Sequence, residues 1–254
     1  YFPAEVDSVY FPQVEVVGDI GSSLTRLTEL VAPNPYWDFN YFERVQESVK
    51  NQVHESDSDD RFPVIPQRFV SDVRKALPED GIVTLDNGIY KVWFARNYPV
   101  RQPNTLLLDN ALATMGAGLP SAIAAKIIHP ERQVLSVCGD GGFMMNSQEL
   151  ETAIRLKLDL VVLVLRDNAY GMIKWKQAGM NLPEWGLDYG NPDFVEYARS
   201  YGAQGVRVES AGDLVPTLRR SFQEGGVWLV ELPVDYSENA KVLISELREK
   251  VCLV

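Results

Sequence analysis

Apolar positions along the chain follow two rhythms: a helical spacing of three to four, and short unbroken runs. Phe69, Val70, Val73 and Leu77 give helical spacing over 67–77, and Pro78-Glu79-Asp80-Gly81 ends it as a turn. Ile82-Val83-Thr84-Leu85 reads as a strand that stops at Asp86-Asn87-Gly88, with a helix over 89–97 behind it. Small residues (Ala117, Gly118, Ala122, Ala124, Ala125) mark a helix over 116–128. A strand over 133–138 is ended by Gly139-Asp140-Gly141-Gly142. A helix over 147–157 leads into the apolar run 159–166. Helices over 192–202 and 211–224 then alternate with strands at 204–208 and 227–233. Unbroken apolar strands alternating with helices predict an α/β fold, an open parallel sheet with helices on both faces.

The N-terminal part breaks this alternation. Val14-Glu15-Val16-Val17 is a short strand candidate, and Leu24, Leu27 and Leu30 follow on a helix. One strand and one helix cannot bury a core alone, so 1–30 is expected to close on other residues, as the tail of a preceding domain. Pro33, Pro35 and the acidic run 55–60 mark 31–61 as a linker, with a helix over about 38–52 inside it. The sheet domain then spans 62–236, and 237–254 forms a helical tail. The start Tyr1-Phe2-Pro3 reads as the interior of a longer protein.

Composition narrows the function. A net charge of −11 repels phosphate backbones and anionic lipid, so neither nucleic acid nor a membrane surface is an expected partner. No apolar run reaches the roughly 18 residues of a membrane span. Two histidines, His54 and His129, leave little room for a histidine metal site or a His-centred triad. Two isolated cysteines, Cys138 and Cys252, exclude a disulfide scaffold or zinc ribbon and fit a reducing compartment, so a cytoplasmic location is expected.

In open parallel sheets, ligands sit at the carboxyl ends of the strands. Three loops there carry candidate chemistry: Asp86-Asn87-Gly88, Gly139-Asp140-Gly141-Gly142, and Arg166-Asp167-Asn168-Ala169-Tyr170-Gly171. Glycines between a strand and a helix let backbone amides approach a phosphate. The spacing of Gly139, Gly141 and Gly142 does not fit the dinucleotide fingerprint, and a Walker loop's Gly-Lys-Ser/Thr is missing. A carboxylate inside the glycine loop would repel a bare phosphate, and makes sense with a divalent cation between them. Mg²⁺ takes few protein ligands and completes its octahedron with phosphate oxygens and water. One crossover separates Asp140 from Asp167, which places the two at neighbouring strand ends, able to share one metal. The plain structural alternative is that each carboxylate only caps the turn that follows it.

These residues resemble the thiamine diphosphate-dependent enzymes, whose signature is Gly-Asp-Gly followed one crossover later by Asn-Asn. Here Gly139-Asp140-Gly141 opens it and Asp167-Asn168 closes it. The stretches 112–120, 140–157 and 232–239 are similar to the acetolactate synthase branch, nearest its catabolic members. The resemblance implies Mg²⁺ held by Asp140, Asp167 and the Ala169 carbonyl, and a diphosphate met by the Gly141 and Gly142 amides. It places Gly88, Ile89 and Tyr90 over the phosphates. Met115 props the two cofactor rings into a V, and the Ala113 carbonyl accepts from the cofactor's 4′-amino group. Tyr170, Gly171 and Met172 join the cofactor wall, with Trp175 leading to the substrate pocket. Met115 as plain core and Trp175 as surface packing are the structural alternatives.

Three departures stand out. Asp167 replaces the family's first closing Asn. Gly88-Ile89-Tyr90 replaces a Gly-Gln-His loop. Lys176 stands where biosynthetic acetolactate synthases place a Trp, while Trp175 matches an aromatic in the catabolic group. The activity implied is decarboxylation of pyruvate and ligation to a second pyruvate, giving 2-acetolactate, in a homodimer or homotetramer. The glutamate that activates the cofactor's pyrimidine lies in a separate N-terminal domain of the partner subunit in this family, and nothing here matches that domain. The chain alone is therefore expected to be silent. Alternatives are another 2-keto-acid decarboxylase, carboligase or oxidase of the same family, or a cofactor-binding fragment without activity. The contacts that would decide FAD dependence fall mostly outside this chain.

Overall fold

Six strands pair in one sheet, all parallel, in the order β2-β1-β3-β4-β6-β5. They are β1 (Ile82–Leu85), β2 (Leu106–Leu108), β3 (Val134–Gly139), β4 (Leu160–Arg166), β5 (Gln204–Arg207) and β6 (Val227–Pro233). Parallel neighbours need crossovers, and helices supply most of them. The computed structural model describes residues 13–246. They fall into two units, one ending at Val49 and one starting at Lys50.

The second unit holds the sheet between two helical layers. On one face α3 (Pro66–Ala76), α4 (Ile89–Asn97) and α10 (Leu214–Glu224) pack on Val83, Leu135, Leu163 and Val230. On the other, α5 (Gly118–Ile128), α7 (Leu150–Arg155) and α9 (Phe194–Ser200) pack on Ile82, Val134, Val162 and Leu229. Adjacent strand residues thus point into different cores, which is why these strands are apolar at nearly every position. Leu160 to Leu165 has no residue more than 1% exposed.

Several expected bounds shift. The helix expected from 116 begins at Gly118, and the one expected over 147–157 is a 3-10 turn at Ser147–Glu149 followed by α7. Three elements went unpredicted: β2, α6 (Asp140–Met145) and α8 (Gly171–Gly179). The glycine-rich loop after β3 is therefore already helical at Asp140.

The first unit carries α1 (Ile20–Leu30) and the start of α2 (Asn40–His54). Asp19 caps α1, accepting from the Ser22 amide at 2.8 Å. The strand expected at 14–17 does not form. Valine-rich sequence favours a strand only where a neighbouring edge offers a ladder, and none does among the described residues. Residues 1–12 and 247–254 of the expected N-terminal segment and helical tail lie outside the described residues; within 237–246 a single π-helical turn forms at Lys241–Ser245.

One charge is buried in the sheet itself. Glu231 on β6 is 0% exposed and sits between Arg166 on β4 (2.7 Å) and Arg207 on β5 (2.8 Å). A carboxylate there is tolerable only because both guanidinium groups reach it. Glu231→Ala is expected to lower the unfolding free energy by about 2 kcal/mol, because both arginines are partly exposed and can rehydrate. Urea titration reads this as a lower midpoint; an unchanged midpoint would remove the bridge from the stability of the sheet.

Candidate functional site

The chain changes direction across the sheet between β1 and β3. From β1 it moves outward to β2, and from β3 it moves the other way to β4. The loops leaving β1 and β3 therefore diverge and open a crevice at the strand carboxyl ends, where open α/β sheets bind ligands. A cleft of about 420 Å³ lies there. All the cofactor residues expected from the sequence line it except Ala113. Asn87, Gly139, Leu165, Ile173, Tyr189 and Tyr236 also line it.

Asp140 is 1% exposed at the end of β3. Its Oδ1 accepts from the Gly141 amide (2.9 Å) and the Tyr189 hydroxyl (2.6 Å). Its Oδ2 accepts from the Asn168 amide and Asn191 Nδ2, both at 2.8 Å. Asn168 can present its amide because its backbone is left-handed, φ 56°, a conformation asparagine tolerates. The Tyr189 hydroxyl also lies 3.3 Å from the Ala169 carbonyl. One O–H thus spans two of the three atoms expected to share a cation.

Asp167 ends β4, the strand beside β3. Burial, reinforced by the negative charge of Asp140, pushes its carboxyl up to about 7. Two carboxylates in one low-dielectric crevice resist joint ionisation unless a positive charge joins them. Among the described residues, no three His, Cys, Asp or Glu side chains gather as a metal shell. The two carboxylates and one carbonyl would leave most of an Mg²⁺ octahedron to oxygens from elsewhere.

The walls are made of missing side chains. A Cβ at Gly141 would stand 2.5 Å from the Tyr189 oxygen, and one at Gly171 2.7 Å from Asp167 Oδ2. A Cβ at Gly142 would run into Asp86 Oδ2. Asp86 is itself 0% exposed and clamps the loop that carries Met115, accepting from the Gly116 amide at 2.8 and 3.0 Å. Asn146 grips the same loop from the other side through the Gly116 carbonyl, at 2.8 Å. Gly116 has φ 89°, which suits glycine alone, and a Cβ there would meet Asn146 and Met145. Met115 is thereby presented to the cleft. Ala113 lies outside the lining, exposed, with φ 51°.

A family model described as "Thiamine pyrophosphate enzyme, C-terminal TPP binding domain" matches residues 86–232, from the β1 loop through β6. The chain belongs to the thiamine pyrophosphate enzyme family. Within this family it is 34% identical to the Bacillus subtilis acetolactate synthase over 96% of its own length, and 33% identical to the catabolic acetolactate synthase of Raoultella terrigena over 93%. It spans 43% of the length of each. Among solved structures of the family, the Rhodococcus jostii RHA1 thiamine diphosphate-dependent 4-hydroxybenzoylformate decarboxylase shares 26% identity at a TM-score of 0.64, covering 68% of this chain and 33% of that one. The Polynucleobacter necessarius benzoylformate decarboxylase, at 21% identity and TM-score 0.63, shares the fold over 68% of this chain and 34% of its own.

The thiamine pyrophosphate fold explains which site residues sequence reasoning missed. Tyr189 and Asn191 come from the loop before α9, far along the chain from Asp140, and no local pattern marks them. Tyr236 follows β6 as other candidates follow β1, β3 and β4, so the strand-end rule itself was the signal that could have found it.

Asp167 carries a testable cost. In the unfolded chain its carboxyl ionises near the ordinary 3.8, and in the folded protein near 7. The folded state holds the extra proton between those values, so this group lowers stability progressively as pH rises through that window. Asp167→Asn is expected to change the metal-free melting temperature little near pH 4. Above pH 7 it raises it, with a gain in unfolding free energy on the order of 4 kcal/mol. Equal shifts at pH 4 and pH 8, by scanning calorimetry, would show that the carboxyl pays no such cost.

Proposed function

We propose that this chain is the diphosphate- and metal-binding half of a thiamine diphosphate-dependent carboligase that converts two pyruvates to 2-acetolactate and CO₂. The observation that carries this reading is the meeting of Asp140 and Asp167 at adjacent strand ends, within a cradle of glycines, in a chain similar to acetolactate synthases. The crevice fits a cation bound to a diphosphate. Its carboxylates call for positive charge, its three-atom donor set is incomplete without ligand oxygens, and the glycines clear space against the backbone.

Asp140, Asp167 and the Ala169 carbonyl would hold Mg²⁺, which would displace the Tyr189 hydroxyl from its contacts to Asp140 and Ala169. The amides of Gly141 and Gly142 would meet the diphosphate, with Gly88, Ile89 and Tyr90 closing from the β1 side. Tyr170, Gly171 and Met172 wall the opposite side, and Met115, held by the Asp86 and Asn146 clamp, would support the rings. When bound, the cofactor supplies the nucleophilic carbon and the electron sink for a 2-keto acid. This chain's part is to fix its charge and orientation and to exclude water around it.

The relatives extend well beyond the stretch they share with this chain, and the family resemblance puts the carboxylate at the cofactor's pyrimidine in a separate domain. We place that group on a partner subunit in a cytoplasmic homodimer or homotetramer. A 2-keto-acid decarboxylase is the second reading, favoured by the 26% identity to the 4-hydroxybenzoylformate enzyme. Product analysis on a longer form, acetolactate against free aldehyde, separates them.

Two outcomes follow. The 254-residue chain, given pyruvate, thiamine diphosphate and Mg²⁺, is expected to form no acetolactate; sustained turnover would show that the half-site reading is wrong. Asp140→Asn is expected to weaken Mg²⁺-dependent binding of thiamine diphosphate about tenfold or more, since hydrogen bonds and contacts to charged groups are worth roughly 1.5–3 kcal/mol. Isothermal calorimetry at fixed Mg²⁺ checks this, and an unchanged affinity would take Asp140 out of the metal shell.

A further inference from the structure

Four strand ends face the cleft in the spatial order β1, β3, β4, β6. The inner two carry the carboxylates Asp140 and Asp167. The outer two carry tyrosines: Tyr90 opens α4 just after β1, and Tyr236 follows β6. Both hydroxyl oxygens are shut off from solvent, and neither O–H proton has an acceptor. At Tyr90 the Gly139 amide approaches the oxygen as a donor, which leaves the O–H proton itself without an acceptor.

A buried hydroxyl without a partner is destabilising, and phenylalanine would fill the same space without that cost. Two such hydroxyls at one cleft call for an acceptor that arrives from outside. Their surroundings define its chemistry. Burial and the negative charges of Asp86 beside Tyr90, and of Asp167 and Asp140 beside Tyr236, hold both phenols well above their usual range. Both therefore stay neutral and keep a proton to donate. The acceptor must offer several oxygens on both flanks of the carboxylate pair, and must coexist with that pair through a cation. A diphosphate chelated to a divalent cation meets all three demands.

We propose that the Tyr90 and Tyr236 hydroxyls are paired diphosphate donors, gripping non-bridging phosphate oxygens from the two flanks of the metal pair. The proposal rests on the function given above and assigns its phosphate contacts.

The test pairs affinity with stability, using the full chain and the variants Tyr90→Phe, Tyr236→Phe and the double variant. Calorimetry measures binding of Mg²⁺-pyrophosphate and of Mg²⁺ with thiamine diphosphate, and a thermal melt follows each protein without ligand. Each single variant is expected to lose about tenfold in affinity for both probes, with a ligand-free melting temperature equal to or above that of the parent. Unchanged affinity in both single variants, with the parent binding normally, overturns the proposal and leaves the wider function standing. Lost affinity together with a lowered ligand-free melting temperature overturns it as well, since the hydroxyls would then be structural. Failure of the parent chain to bind either probe overturns both the proposal and the function beneath it.

Discussion

Asp140 and Asp167 stand at the ends of adjacent parallel strands and are held close, because the ladder between β3 and β4 pairs Gly139, one residue before Asp140, with Leu165, two residues before Asp167. Two buried carboxylates in that position repel each other, and the protein meets the repulsion in two ways. Asp140 is saturated with donors from the Gly141 and Asn168 amides, Tyr189 and Asn191. Asp167 is pushed toward its protonated form. Burial therefore opposes ionisation at Asp167, while the polar atoms of Asp140 are taken up by hydrogen bonds.

The remaining architecture serves to bring backbone close to that pair. Side chains are removed where they would obstruct it, at Gly141, Gly142 and Gly171. Met115, on the cleft wall, precedes a glycine whose backbone is fixed by hydrogen bonds. Asp86 and Asn146 fix Gly116 from opposite sides, so the position of Met115 follows from β1 and from the segment after α6. Behind the strand ends, the Arg166–Glu231–Arg207 bridge ties β4, β6 and β5 together one residue before Asp167. Rigid elements thus support the charged pair on both sides, the usual requirement for a preorganised site.

Much of this was readable from the chain because its determinants are local. Unbroken apolar runs announced β1, β3, β4 and β6, and the Asp and Gly residues just beyond them announced the site. What escaped was what depends on partners. β2 is three half-buried leucines on a sheet edge, too short to show a period. Val14–Val17 has strand-forming residues but, among the described residues, no edge to join. Helix α6 is masked by glycines, which score against helix yet are needed beside Asp86 and Tyr189. Tyr189 and Asn191 reach Asp140 across a loop, and their role exists only in three dimensions.

The incompleteness of the donor set links metal and diphosphate to each other. Two carboxylates and a carbonyl, without a third acidic or imidazole group nearby among the described residues, would bind a bare divalent cation weakly against its hydration. A bare diphosphate would meet two negative charges and be repelled. Each ligand removes the obstacle to the other: the cation neutralises the pair, and the phosphate oxygens complete the cation's shell. On the function proposed above, binding of the two would be positively coupled through the crevice, and the Tyr189 hydroxyl holds the contact to Asp140 and Ala169 that the cation would take. That coupling would follow from charge alone, and would let a chain with so acidic a balance accept a polyanion.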